Sequence, residues 1–413
     1  MRFLPRAVLS LLLFGLTLEG LARLDDFVRD GAPLLGNHDI DSVFVRTETT
    51  KIGRAGARFG KWQMNSLGYR GPEPVPGRPT IVTYGASETF GIYESAGHEY
   101  PRQLAQLLDA SPSRGAPAYN VVNIAIPGLR IGRMAYLDEA LDKLKPAYVV
   151  VYPTPAAYIG VDQPLCAKEA STVAPTPLTE PEIPATWRWR LGGKLDQLMK
   201  QVTPLWLMTA LKEFGIWRAT QRMAVHNTVD EAAIQAYSQD LHCVLAHIRA
   251  HGARPVLMTH ATYFGDAVTP ASRPMLVAWR RFYPDLAEGG FLDLERRANA
   301  AVLALAQQQR DVILVRADTL VPPGPEHFAD FVHFTDRGAG RIADALVVGN
   351  DLEAGGRLDR HQLRMRRGGD EAGDAVAGHP GVQDDAARQV GVGEPDRVAG
   401  RIVEVQAPMQ AGG

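Results

Sequence analysis

Between Thr80 and Val348, short β-branched apolar runs alternate with stretches of helical apolar spacing, and this alternation restricts the fold most. Thr80–Tyr84, Asn120–Ile126, Ala147–Tyr152, Pro255–Thr259 and Val312–Val315 read as strands. Tyr100–Leu108, Met134–Leu144, about Val229 to His251, Leu292–Gln309 and Thr335–Val348 read as the helices between and after them. The breaks are Gly85, Pro127-Gly128 and Pro153 after strands and Gly252 after a helix. The final helix has a suitable cap at Thr335-Asp336. Strands joined through helices form a parallel, doubly wound sheet. In such a sheet the site lies at the carboxyl ends of the strands.

The flanks divide the chain further. Arg2 and Arg6 precede an apolar run from Ala7 to Leu18, broken by Glu19. That is the form of a secretory segment, and it is short of the roughly 20 apolar residues a membrane span needs. Residues 1–23 are therefore expected to be a signal peptide, cut near Gly20-Leu21-Ala22, or a retained anchor with its positive charge inside. Either places the chain outside the inner membrane, in a periplasm-like compartment; the alternative reading of the segment is a buried first helix of a cytoplasmic protein. Residues 24–79 read as an irregular lead-in, 80–349 as the main domain and 159–225 as an insertion within it. The insertion is proline-rich at first, then carries Trp187, Trp189, Trp206 and Trp217 in apolar helical stretches. We read those tryptophans as core packing of a helical subdomain, in preference to a membrane-facing cap. From about Asn350 to Gly413 the apolar period disappears, and 350–413 is expected to be a disordered tail.

Composition excludes some classes. The formal net charge of -2 and the lack of a basic stripe argue against nucleic acid as a partner. Cys166 and Cys243 fall in no metal-ligand spacing; they are either one disulfide, which export would permit, or two unpaired small hydrophobic residues, and the sequence favours neither. No phosphate loop, dinucleotide fingerprint or metal cluster is present, so no cofactor or metal is expected.

The predicted strand ends carry the chemistry. The first strand runs into Gly85-Ala86-Ser87-Glu88-Thr89-Phe90-Gly91, which exposes a serine at the rim. The second ends at Pro127-Gly128, where a bare backbone amide can face an oxyanion. Asp330-Phe331-Val332-His333 precedes the last helix, a spacing that lets an aspartate orient its own histidine. A serine nucleophile needs such a base, and the base needs such an acid. Each element alone is weak; in this order and at strand ends they reinforce one another.

With these residues the chain resembles the SGNH/GDSL hydrolase superfamily. The similar blocks are Thr83–Gly91 with Tyr100-Pro101 and Leu104, Asn123–Gly128, and Asp330–Thr335. Asn65–Gly71 also resembles the lead-in of exported bacterial members. The resemblance implies a three-layer α/β/α sandwich with a flavodoxin-like parallel sheet. It implies Ser87 as nucleophile, His333 as base, Asp330 as its orienter, and the amides of Ser87 and Gly128 as oxyanion donors. Two departures stand out. Ala86 replaces the aspartate of the family's first block. The third block, where an asparagine donates to the oxyanion, reads Tyr152-Pro153-Thr154-Pro155-Ala156 here. Thr154 either supplies a substitute hydroxyl or is an ordinary loop residue.

The implied activity is hydrolysis of an acyl ester, with acetyl groups on cell-surface polysaccharide as the family-derived substrate. The alternatives are an O-acyltransferase using the same three residues, or a non-catalytic SGNH-like protein that binds glycan or a partner. His260 ends the fourth strand and reads as a structural histidine that could contact substrate. Glu88 is expected to tune or cap locally, His98 and Glu99 to be solvated, and His327 has no assignable role.

Overall fold

The computed structural model describes residues 3–47, 51–110, 118–170, 182–183, 187–265 and 267–351. At its centre is a five-stranded parallel sheet made of β1 (Thr80–Gly85), β2 (Asn120–Asn123), β3 (Tyr148–Tyr152), β4 (Arg254–Met258) and β5 (Ile313–Val315). The spatial order is β2-β1-β3-β4-β5. This is the flavodoxin-like order, with the chain reversing direction beside β1. Strand side chains alternate between two cores. Val82, Tyr84, Val149, Val151 and Leu257 face one, and Ile81, Val150, Tyr152, Val256 and Met258 face the other. Both faces are covered, which is why the strands read as nearly continuous apolar runs.

The first core is closed by α3 (Met134–Leu144), α6 (Glu231–Ala250) and much of α8 (Glu288–Gln308). The second is closed by α2 (Tyr100–Ala110) and α9 (Asp336–Asp351), which pack on each other. The three-layer α/β/α sandwich expected above is thus the observed architecture, with element ends moved by a few residues.

Outside this frame the structure departs from the expectations. The N-terminal helix α1 runs unbroken from Phe3 to Asp30, through the anticipated boundary at residue 23. The lead-in is not irregular. It holds two short antiparallel ladders, Phe44–Arg46 with Lys51–Gly53 and Arg58–Phe59 with Trp62–Gln63. Its Val43, Trp62, Met64 and Tyr69 belong to the first core. Strands of two or three residues are too short to show a period. The described part of the insertion contains a short helix at Leu165–Ala170, α4 (Arg190–Val202) and α5 (Leu205–Thr220). Its four tryptophans are 53–71% exposed, so the core-packing reading was wrong. A ring is buried only where other elements pack over it, and the described part of the insertion leaves more than half of each of these four residues open. A further helix, α7 (Arg273–Arg280), was not anticipated, and its Trp279 is buried. Cys166 and Cys243 are disulfide-bonded, joining the start of the insertion to α6. The expected tail lies outside the described residues except for Asn350 and Asp351, which continue α9.

Candidate active site

The sheet order decides which loops meet. β1 lies between β2 and β3, so the loops after β2 and β3 flank the turn after β1. Gly85 pairs with Tyr152 at the end of β3, and its carbonyl accepts the Ile126 amide from the loop after β2. The Ser87 turn therefore sits between the Gly128 loop and Thr154. Gly85 is forced by close approach: a Cβ there would stand 2.3 Å from Thr89 Oγ1 and 2.7 Å from the Tyr152 carbonyl oxygen. Ser87 begins a one-turn helix, Ser87–Phe90, in which Glu88, Thr89 and Phe90 are buried. Gly128 has φ +81°, a conformation that suits glycine. Among the described residues no hydrogen bond takes up the Ser87 or Gly128 amide.

The lead-in braces this turn. The buried Arg70 guanidinium donates to the carbonyls of Phe90 and Gly91, the latter at 2.6 Å, and pairs with Glu99 at 3.0 Å. A cation there meets the negative end of the one-turn helix. Asn65 orders the approach by accepting from the amides of Leu67 and Tyr69, both at 3.0 Å. Glu99, expected to be solvated, is instead buried as the partner of Arg70, whereas His98 is exposed.

The second half of the site arrives from the far edge of the sheet. α9 packs on α2, and its first residue is tied to the segment after the serine turn. Asp336 accepts from the Ser95 amide at 2.6 Å, and its carbonyl accepts from Gln103 Nε2 at 2.8 Å. Asp330 Oδ1 accepts the amides of Val332 and His333, each at 2.9 Å, and Asp330 Oδ2 lies 2.7 Å from His333 Nδ1. The aspartate thus closes its own loop and aims the imidazole. His333 Nε2 is buried without a hydrogen-bond partner, and the Tyr93 ring lies 5.2 Å from the imidazole. Burial disfavours the imidazolium, but the charges of Asp330, Glu88 and Glu94 outweigh it and carry His333 up to about 9. Glu94 is pushed up by burial to about 8.

Sequence reasoning undervalued Glu88. Ser87 Oγ donates to its carboxylate at 3.1 Å, and Thr154 Oγ1 donates to it at 3.0 Å. His260 Nε2 is 3.4 Å away, while His260 Nδ1 meets Glu295 at 2.7 Å. A row of buried groups, Glu295–His260–Glu88, thus ends on the serine hydroxyl. His260 is both structural, through Asn299, and part of this row. Burial would raise Glu88, yet its bond to His260 and the charge of His333 hold it well below the usual carboxylate range. Burial would lower His260, and the two carboxylates reverse that. The only signal in sequence was an acidic residue directly after Ser87. That Thr154 and His260 would converge on it is a tertiary fact. His327 is buried, and neither ring nitrogen has a partner.

No family model matches the chain, and no curated protein matches it. Among solved structures, it is similar to a protein described as lipolytic and of the G-D-S-L family, from Desulfitobacterium hafniense. That pair shares 10% identity and a TM-score of 0.35, covering 66% of this chain and 99% of that one. It is also similar to Axe2, an acetylxylan esterase from Geobacillus stearothermophilus, at 13% identity and TM-score 0.37, over 66% of this chain and 93% of that one. A third is TesA, at 14% identity and TM-score 0.34, over 65% of this chain and 97% of that one. The sheet order and the loop geometry, not these alignments, carry the reading that follows.

Proposed function

We propose that this chain is a serine esterase acting on acyl esters outside the membrane that its N-terminal helix enters. One observation carries the reading. A buried imidazole, oriented by its own aspartate, keeps a bare Nε2 and feels the charge of Glu88, the same carboxylate that holds the Ser87 hydroxyl. An unsatisfied buried nitrogen is costly unless a ligand or a reacting group uses it.

In the proposed reaction the Ser87 hydroxyl turns from Glu88 to His333. His333 Nε2 takes the proton as Oγ bonds to the acyl carbon. The carbonyl oxygen becomes an oxyanion facing the Ser87 and Gly128 amides. Collapse breaks the ester C–O bond, and His333 returns its proton to the departing alcohol. Water repeats the sequence and frees the carboxylic acid and Ser87. Asp330 holds the tautomer and stabilises the imidazolium. The Thr154 hydroxyl is engaged by Glu88, so we assign the oxyanion to the two amides alone. Absence of a third donor costs about 100- to 1000-fold in rate. We keep acetyl groups on surface polysaccharide as the substrate proposed from the resemblance.

The long apolar stretch of α1 and the Cys166–Cys243 bond support an exported location, since disulfides persist in oxidising compartments. The test is labelling by a serine-reactive phosphonate together with hydrolysis of p-nitrophenyl acetate. Labelling at Ser87, and loss of both signals in Ser87→Ala, is the expected result. Hydrolysis that survives Ser87→Ala would remove the proposal.

A further inference from the structure

Glu19, Arg23, Asp25 and Asp26 of α1 are paired within the protein while the apolar side chains of the helix are not covered. Glu19 and Arg23 form a buried pair at 2.6 Å. The Glu19 carboxylate accepts the amides of Arg190 and Leu191, at 3.1 and 2.9 Å, and so caps the first turn of α4. Arg23 donates to the carbonyls of Leu34, Gly36 and Arg188 at 3.0–3.1 Å. Lys194 of α4 pairs with Asp25 at 2.8 Å and Asp26 at 2.7 Å. Glu19, Arg23, Asp25 and Asp26 are thereby bound to α4 and its flanks, while Arg29 pairs with Asp25 along α1 itself. Leu21, Leu24 and Val28 remain 48–74% exposed in the second half of α1, as do Leu12, Leu13 and Phe14, at 56–62%, in the first.

The apolar exposure continues onto the insertion. On α4, Leu195, Leu198, Met199 and Val202 are 51–62% exposed. On α5, Leu205, Trp206, Phe214 and Trp217 are 57–71% exposed, and the Phe214 and Trp217 rings stack 5.5 Å apart. A soluble surface scatters such residues singly. Residues 187–225 contain seven Lys or Arg and two Asp or Glu. Arg188, Arg190 and Lys194 pair with Asp39, Asp41, Asp25 and Asp26 outside the segment, so its basic excess is carried by Lys200, Lys212, Arg218 and Arg222. Exposed tryptophan and leucine among basic residues is the composition of helices lying in a membrane interface. A second copy of the chain would set this basic face against itself, which like charges oppose.

We infer that α4 and α5 lie at the headgroup boundary of an anionic phospholipid bilayer, docked on the α1 helix that enters the same bilayer. Pairing Glu19, Arg23, Asp25 and Asp26 internally is what allows α1 to approach apolar surroundings, where an unpaired charge is expensive. α5 packs on α7, whose Trp279 stacks on Phe331 of the His333 loop at 5.2 Å. The interface thus reaches the candidate active site through two layers of packed side chains. The inference rests on α1 entering a membrane and not on the ester chemistry.

The test uses the full chain in vesicles of phosphatidylcholine and phosphatidylglycerol whose acyl chains carry bromine, a contact quencher of indole. Because α1 holds every variant on the vesicle, the readout is tryptophan quenching. Trp62 and Trp279 are buried and supply an unquenched background. Strong quenching is expected, and Trp206→Phe with Trp217→Phe should cut the quenched fraction by about half, since two of four exposed indoles are removed. Replacing phosphatidylglycerol with phosphatidylcholine, or introducing Lys200→Glu with Arg222→Glu, should reduce the quenching. No quenching of vesicle-bound protein, or quenching unchanged in the double tryptophan variant, would overturn the inference. So would a dimer in detergent that Trp206→Asp disperses, because the surface would then belong to a second copy. Phosphonate labelling of Ser87 reads the ester proposal separately and is unaffected by either result.

Discussion

Asp330 and Glu88 both raise His333, but they hold different groups of the candidate site. Asp330 points the imidazole through Nδ1 and leaves Nε2 for a proton. Asp330→Asn should keep the loop hydrogen bonds to Val332 and His333 but favour the wrong tautomer. The expected loss in kcat is on the order of 10^4-fold, measured on p-nitrophenyl acetate. Glu88 holds the serine hydroxyl and adds negative charge near His333. A histidine raised to about 9 is protonated below that pH and acts as a base only above it. kcat/KM should therefore climb with pH, falling about tenfold for each unit below the limb. Glu88→Gln removes a charge that favours the imidazolium, so the limb should move to lower pH. A limb that stays in place would mean that Glu88 does not act on His333.

At the scale of elements, the lead-in and the serine turn behave as one piece. Arg70 crosses from the lead-in to the end of the one-turn helix and pairs with Glu99 in a buried site. Arg70→Ala would leave the Glu99 carboxylate buried and unpaired. The expected loss is about 3–5 kcal/mol in denaturant unfolding of detergent-solubilised protein. Gly85→Ala pushes a methyl against Thr89 and the Tyr152 carbonyl. It should lower thermal stability and phosphonate labelling together, because the same clash displaces the Ser87 turn. Loss of labelling without loss of stability would separate the turn from the sheet edge.

For the molecule as a whole, the insertion links three parts: α1, the disulfide on α6, and α7 beneath the His333 loop. The Cys166–Cys243 bond closes a loop with a sequence separation of 77. Replacing both with alanine frees that loop in the unfolded chain. The expected loss is about 2–5 kcal/mol, read as a lower unfolding midpoint. An unchanged midpoint would show that the insertion unfolds independently of the sandwich.

The layered sandwich was legible in sequence because its information is local. β-Branched runs, helical spacing and glycine or proline breaks each act within a dozen residues, and strands covered on both faces announce themselves as apolar runs. The Asp330–His333 pairing was legible for the same reason, since three residues of spacing lie within one loop. The tertiary structure alone decided the rest. It brought Thr154 and His260 to Glu88 and Glu295 to His260, each from a separate segment, and it set Arg70 under a turn some twenty positions later. It also left the insertion's tryptophans outside, because burial depends on what packs against a helix, and a helix's own sequence does not specify its neighbour.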